Sequence, residues 1–120
     1  MSRSSKLCKL PGVLAAGIFS RKGTPEEYEG PFTSREAAAL AGLCSDITLT
    51  MEMQALFLDR LSGEEGWKGC HGWAAWGPER VIVSVGDSMC IVDAQSRSLT
   101  TVISAMRSTA GIEASESEGV

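Results

Sequence analysis

The chain contains one histidine, His71, and one tyrosine, Tyr28. A single histidine excludes a two-histidine metal site or a histidine relay within one chain. The four cysteines, Cys8, Cys44, Cys70 and Cys90, form no C-x-x-C pair, so there is no redox dithiol motif. A basic excess is also missing: 11 basic residues stand against 15 acidic ones, a net charge of −4 at pH 7. That weighs against a nucleic-acid partner. The longest apolar stretch near the N-terminus, Val13 to Phe19, is far shorter than the about 20 residues a membrane span needs. It lacks the form of a secretory signal. Reduced thiols in a cytoplasmic protein are therefore expected, with Cys44 and Cys90 buried as small hydrophobes. There is no G-x-S-x-G elbow and no G-x-x-x-x-G-K-[ST] loop, so two common catalytic motifs are excluded.

What is present is ordinary for one globular domain: 120 residues, 43% hydrophobic and 22% charged. Residues 1 to 10 suit a short helix ending at Pro11. Val13 to Ser20 reads as a strand, Arg21 to Pro25 as a turn around Gly23, and Glu26 to Gly30 as a short returning strand. Thr33 or Ser34 then caps a helix, with Glu36 placed for a capping box. From Ser34 to about Leu61 there is no proline and one glycine, Gly42. That predicts roughly 42 Å of helix at 1.5 Å per residue, ended by Gly63 as C-cap.

Two apolar series run along this helix. Ala37, Leu40, Cys44, Ile47, Met51, Ala55 and Leu58 form the stripe that would lie on a sheet. Ala39, Leu43, Thr50, Met53, Phe57 and Leu61 run along a neighbouring face. One sheet covers about one face, so the second series is either covered by hairpin loops and the terminal helix or forms a subunit interface. Strands follow at Trp67 to Trp76, Arg80 to Val85 and Met89 to Asp93. A last helix starts at Asp93 or Ser96 and runs to about Arg107. The expected fold is α+β, order (α)ββαβββα: an antiparallel five-stranded sheet with one long central helix and a terminal helix. Residues 1–107 form the domain, and 108–120 a disordered acidic tail.

No constellation has the pattern of a catalytic, cofactor or metal site. Cys70 and His71 are adjacent on an expected strand and so point to opposite faces, which argues against a dyad. Cys70 remains the candidate reactive thiol, its reactivity set by exposure and local charge. Gly63, Gly66, Gly69 and Gly72 recur around Lys68, but no helix follows to hold a phosphate. They read as a relaxed start to a twisted strand. Trp67, Trp73 and Trp76 suit either ligand stacking or packing beside the long helix. Glu26, Glu27 and Glu29 read as a solvated sheet edge.

With these elements in place, the sequence resembles the roadblock/dynein light chain family, a profilin-like or longin-like fold. Leu10-Pro11-Gly12-Val13-Leu14-Ala15-Ala16-Gly17 is similar to the family's opening, and Gly23 sits where its first hairpin turns. The helix from Ser34, Leu61-Ser62-Gly63, Gly72-Trp73 and the strands through Val92 complete the match. More narrowly, it resembles a small bacterial and archaeal branch often associated with sulfur-oxidation proteins. The resemblance implies a non-enzymatic scaffold or regulator, without cofactors, that dimerises through its central helix and the adjoining sheet edge. It implies a homodimer or a heterodimer with a related domain, and a small GTPase or a larger complex as partner. Leu43, Thr50, Met53 and Phe57 are the expected interface residues. The alternatives are a sulfur-trafficking or redox accessory protein using Cys70 or Cys8, and a small-molecule sensor.

Overall fold

A computed structural model of the chain describes residues 2–63, 72–95 and 99–110. The elements run α1 (Arg3–Cys8), β1 (Val13–Phe19), β2 (Pro25–Glu29), α2 (Ser34–Ser62), β3 (Gly72–Trp76), β4 (Arg80–Val85), β5 (Ser88–Asp93) and α3 (Leu99–Ala110). The strands form one antiparallel sheet in the order β2-β1-β5-β4-β3. Architecture and element order are those the sequence predicts.

Strand periodicity sorts the core into two layers, because alternate side chains leave opposite faces of a sheet. On one face Val81, Val83 and Val85 of β4 join Cys90 and Val92 of β5 and Ala16 of β1. Leu7 of α1 and Val102 and Met106 of α3 close over them, all nearly fully buried. On the other face Met89, Ile82, Ile91 and Trp73 meet Leu40, Ala41 and Cys44 of α2. The helix α2 therefore covers one side of the sheet, and α1 and α3 share the other. The terminal helix is thus on the wrong side to cover the second apolar series of α2.

Several boundaries differ from the sequence reading. Pro25 belongs to β2 rather than to the turn, paired with Phe19 across a register shift. The strand β5 starts at Ser88, whose hydroxyl donates to the Val85 carbonyl at 2.8 Å and so is satisfied when buried. Asp93 ends β5 instead of opening a helix: its Oδ1 accepts from the Gln95 N–H at 2.9 Å, a local turn. Ser96, the other expected helix start, lies outside the described residues. The helix α3 continues to Ala110, past the expected domain end at 107. Residues 111–120, most of the expected tail, lie outside the described residues.

The short helix α1 is held by contacts distant in sequence. Arg3 donates to both carboxylate oxygens of Asp87, at 3.0 and 2.7 Å. The Glu27 carboxylate accepts from the Ser4 N–H at 2.7 Å, and that of Glu29 from the Ser5 hydroxyl at 3.2 Å. These two acids of β2, expected only to solvate an edge, hold the first turn of α1, Glu27 by taking one of its free N–H groups and Glu29 through a side-chain hydroxyl.

Candidate functional site

The helix α2 starts and stops where its sequence dictates. The Thr33 hydroxyl accepts from the Glu36 N–H at 3.1 Å, and the Glu36 carboxylate accepts from the Thr33 N–H at 2.8 Å. This closed capping box satisfies two orphan donors. At the other end Gly63 takes the left-handed conformation, φ 73°, and returns its N–H to the Asp59 carbonyl.

The inner stripe lies against the sheet as expected. Ala37, Ala41, Cys44, Ser45 and Ala55 are buried, with Leu40, Ile47, Met51 and Leu58 half-buried beside them. The Trp73 indole N–H donates to the Thr48 hydroxyl at 2.9 Å, tying edge strand β3 to the middle of α2. On the same flank of α2, Arg21 grips Glu52 at 3.2 and 2.8 Å, and the Ser45 hydroxyl donates to the Arg21 carbonyl at 2.7 Å. The Arg21 guanidinium holds the Glu52 carboxyl below its usual range. A cleft of about 260 Å³ lies between this pair and the β4–β5 turn at Gly86 and Asp87. Its charged groups are already committed, Arg21 to Glu52 and Asp87 to Arg3.

The second series faces water. Leu43 is 47% exposed, Met53 63% and Phe57 55%, and Thr50 is exposed beside them. The Thr50 hydroxyl donates to the Asp46 carbonyl within the helix, at 2.9 Å. The four residues named from sequence therefore share one face, as 100° per residue requires. Leu49, Leu56 and Leu61 extend the same apolar arc, and all three are exposed. Of these, Leu49 and Leu56 lie outside the pattern read from sequence, although a full helical wheel places them beside Met53. A contiguous apolar strip along a helix is what interaction surfaces look like; scattered exposed leucines are not.

Trp76 ends β3 and is 68% exposed, while Trp73 packs under α2. Trp67, Cys70 and His71 lie outside the described residues, as do Gly66 and Gly69. Gly72 sits so close to β4 that a Cβ there would meet the Ser84 carbonyl oxygen at 2.5 Å.

The described thiols are free and are held in the protonated form by burial. Desolvation pushes Cys44 up to about 11 and Cys90 up to about 12. Cys8 is raised too, by burial and then by the nearby Glu29 charge. The thiolate is the nucleophile, so Cys44 and Cys90 should resist iodoacetamide at pH 8 in the native protein. Mass spectrometry should find both alkylated only after denaturation. Rapid native alkylation at either would contradict their burial. Among the described residues no group of three or more metal-ligating side chains converges, and no helix is long and apolar enough to cross a membrane.

A family described as DUF2173, uncharacterized conserved protein, matches residues 3–108. No curated protein matches the chain. Among solved structures, MglB of Myxococcus xanthus is similar with a TM-score of 0.68 at 16% identity, covering 96% of this chain and 91% of that one. A Roadblock/LC7 domain from Streptomyces avermitilis gives 0.69 at 11% identity, covering 91% and 89%. An MglB with a tetrameric arrangement gives 0.71 at 13% identity, covering 98% and 88%. At these identities the likeness establishes the fold, which is that of Roadblock/LC7 domains.

Proposed function

The chain belongs to the DUF2173 family, and on that premise we propose that it is a non-enzymatic protein-interaction module of roadblock type, dimerising through α2. One observation carries this reading. The face of α2 turned away from the sheet is apolar along its C-terminal half, and among the described residues neither the hairpin turns nor α3 covers it. Burying Met53, Phe57 and Leu43 against a second helix removes apolar area from water at roughly 25 cal/mol per Å². Among the described strands β3 lies at the edge of the sheet, and an edge strand can extend an interface by pairing with another strand. The dimer would present its outer surfaces to a larger cytoplasmic partner. The roadblock resemblance makes a small GTPase the first class to test.

Light scattering on a sizing column, at micromolar protein with reductant, should give a mass near twice 12.7 kDa. Replacing Met53 and Phe57 together by Asp should return the mass to that of one chain and weaken association by about 100-fold or more. The circular dichroism spectrum should be unchanged, because both positions face water in the monomer. A wild-type protein that is monomeric at these concentrations would remove the reading.

A further inference from the structure

The cleft between α2 and the β4–β5 turn has no part in the interaction reading. Its volume of about 260 Å³ holds roughly nine water-sized groups at ~30 Å³ each. That suits a ligand smaller than a drug-sized one. The buried Phe19 and the more exposed Leu49 give it an apolar side.

The charges of the lining do not balance. Glu52 and Asp87 line the cleft as anions, and Arg21 is the one cation lining it among the described residues. Arg3 reaches Asp87 from α1, outside the lining. The arginine hydrogen bonds hold both carboxyls below their usual range, so both are ionised at neutral pH. The arginines also leave them unsaturated. A carboxylate offers about four lone-pair sites. Arg21 uses two on Glu52. Arg3 uses two on Asp87, and the Asp87 N–H takes another. Each carboxylate keeps an open site, and both side chains reach solvent.

We propose that this cleft binds a small organic amine, an ammonium carried on a short apolar body. The ammonium donates to Glu52 and Asp87, and the body lies against Phe19 and Leu49. An anionic ligand would meet two carboxylates there, and a neutral one would leave their open sites to water. The proposal goes beyond the interaction reading and does not require a dimer.

Benzylamine, with about eight non-hydrogen atoms, is a probe of fitting size, and benzyl alcohol is its uncharged counterpart. Amide NMR of the full chain, titrated with each, reads binding residue by residue. Benzylamine should shift the amides of Phe19, Thr48, Glu52 and Asp87 saturably, with a dissociation constant on the order of 1 mM. The Trp73 indole N–H should move with them, because it donates to Thr48 of the lining. Benzyl alcohol should bind at least about threefold more weakly. Glu52→Gln and Asp87→Asn should each weaken benzylamine about three- to fivefold, the effect of one partly exposed ion pair. Arg21→Gln removes the competing cation and should tighten benzylamine by a similar factor. That opposite sign separates charge recognition from damage to the cleft, which would weaken binding in every variant. The absence of saturable shifts at these residues up to about 20 mM benzylamine would overturn the proposal. So would equal binding of the alcohol, or weaker binding by Arg21→Gln. None of these outcomes bears on the dimer, which the sizing column tests separately.

Discussion

Replacing Gly30 by alanine is expected to destabilise the domain by about 2–4 kcal/mol, although the residue is exposed. Gly30 follows β2 with φ 130°, a conformation that side chains rarely adopt. A Cβ there would lie 2.7 Å from the Ala15 Cβ and 3.1 Å from its Cα. Ala15 is buried in β1, next to the centre of the sheet, so little can give way. The same substitution at Gly42 should act in the opposite sense. Gly42 sits in the interior of α2, and a Cβ there meets nothing within 4 Å. Alanine removes the helical cost of glycine and should add about 0.5–1 kcal/mol. The two variants should therefore melt about 10 °C or more apart, at roughly 4–8 °C per kcal/mol for domains of this size. Thermal melts followed by circular dichroism would show it. Equal melting temperatures would mean that the β2 end does not press on β1.

Leu7→Ala is the second large effect, expected to cost about 2–5 kcal/mol. A helix of six residues cannot sustain itself in water, so α1 exists through its tertiary contacts. Leu7 is 1% exposed and packs into the same cluster as Met106 and Val102. Removing it leaves the Arg3–Asp87 pair and the Glu27 cap as the main polar attachments of α1. Those attachments are acid-sensitive. The hydrogen bonds from Arg3 lower the Asp87 carboxyl, and the Ser4 N–H lowers that of Glu27. A carboxyl depressed in the folded state contributes stability above its unfolded value, near 4, and loses it as pH falls through the folded value. Protection factors of the amides of residues 3 to 8, corrected for the intrinsic pH dependence of exchange, should therefore fall in Leu7→Ala, and fall further between pH 5 and 3. Protection at α1 that is unchanged at pH 7 would show that Leu7 does not anchor it.

Local rules made much of this fold legible. The Thr33–Glu36 box, Gly63 and the proline-free stretch between them located α2 almost to the residue, because caps are satisfied within a turn of the chain. The strand β4 was equally plain from the apolar run of Val81, Ile82, Val83 and Val85. Long-range pairings were not legible. Nothing near Arg3 in sequence names Asp87, and nothing near Trp73 names Thr48. The acids of β2 looked like edge solvation because the helix they hold arrives from outside their strand. Of the candidate face, Leu43, Thr50, Met53 and Phe57 were readable from spacing. Their exposure was not, because it depends on which side of the sheet α3 occupies.

The strand order has a consequence for synthesis of the chain. The strand β1 sits inside the sheet, and Ala16 pairs with Glu29 on one side and Cys90 on the other. The first partner leaves the ribosome almost at once; the second arrives ~4–15 s later at ordinary translation rates. Until then the β1–β2 hairpin is open along β1 as well as β2, and α2 has been made before most of the sheet that buries its inner face. For those seconds both apolar stripes of α2 are in water, so nascent chains on neighbouring ribosomes can pair through the wrong stripe. Slower translation between Gly63 and Gly72 would lengthen that exposure.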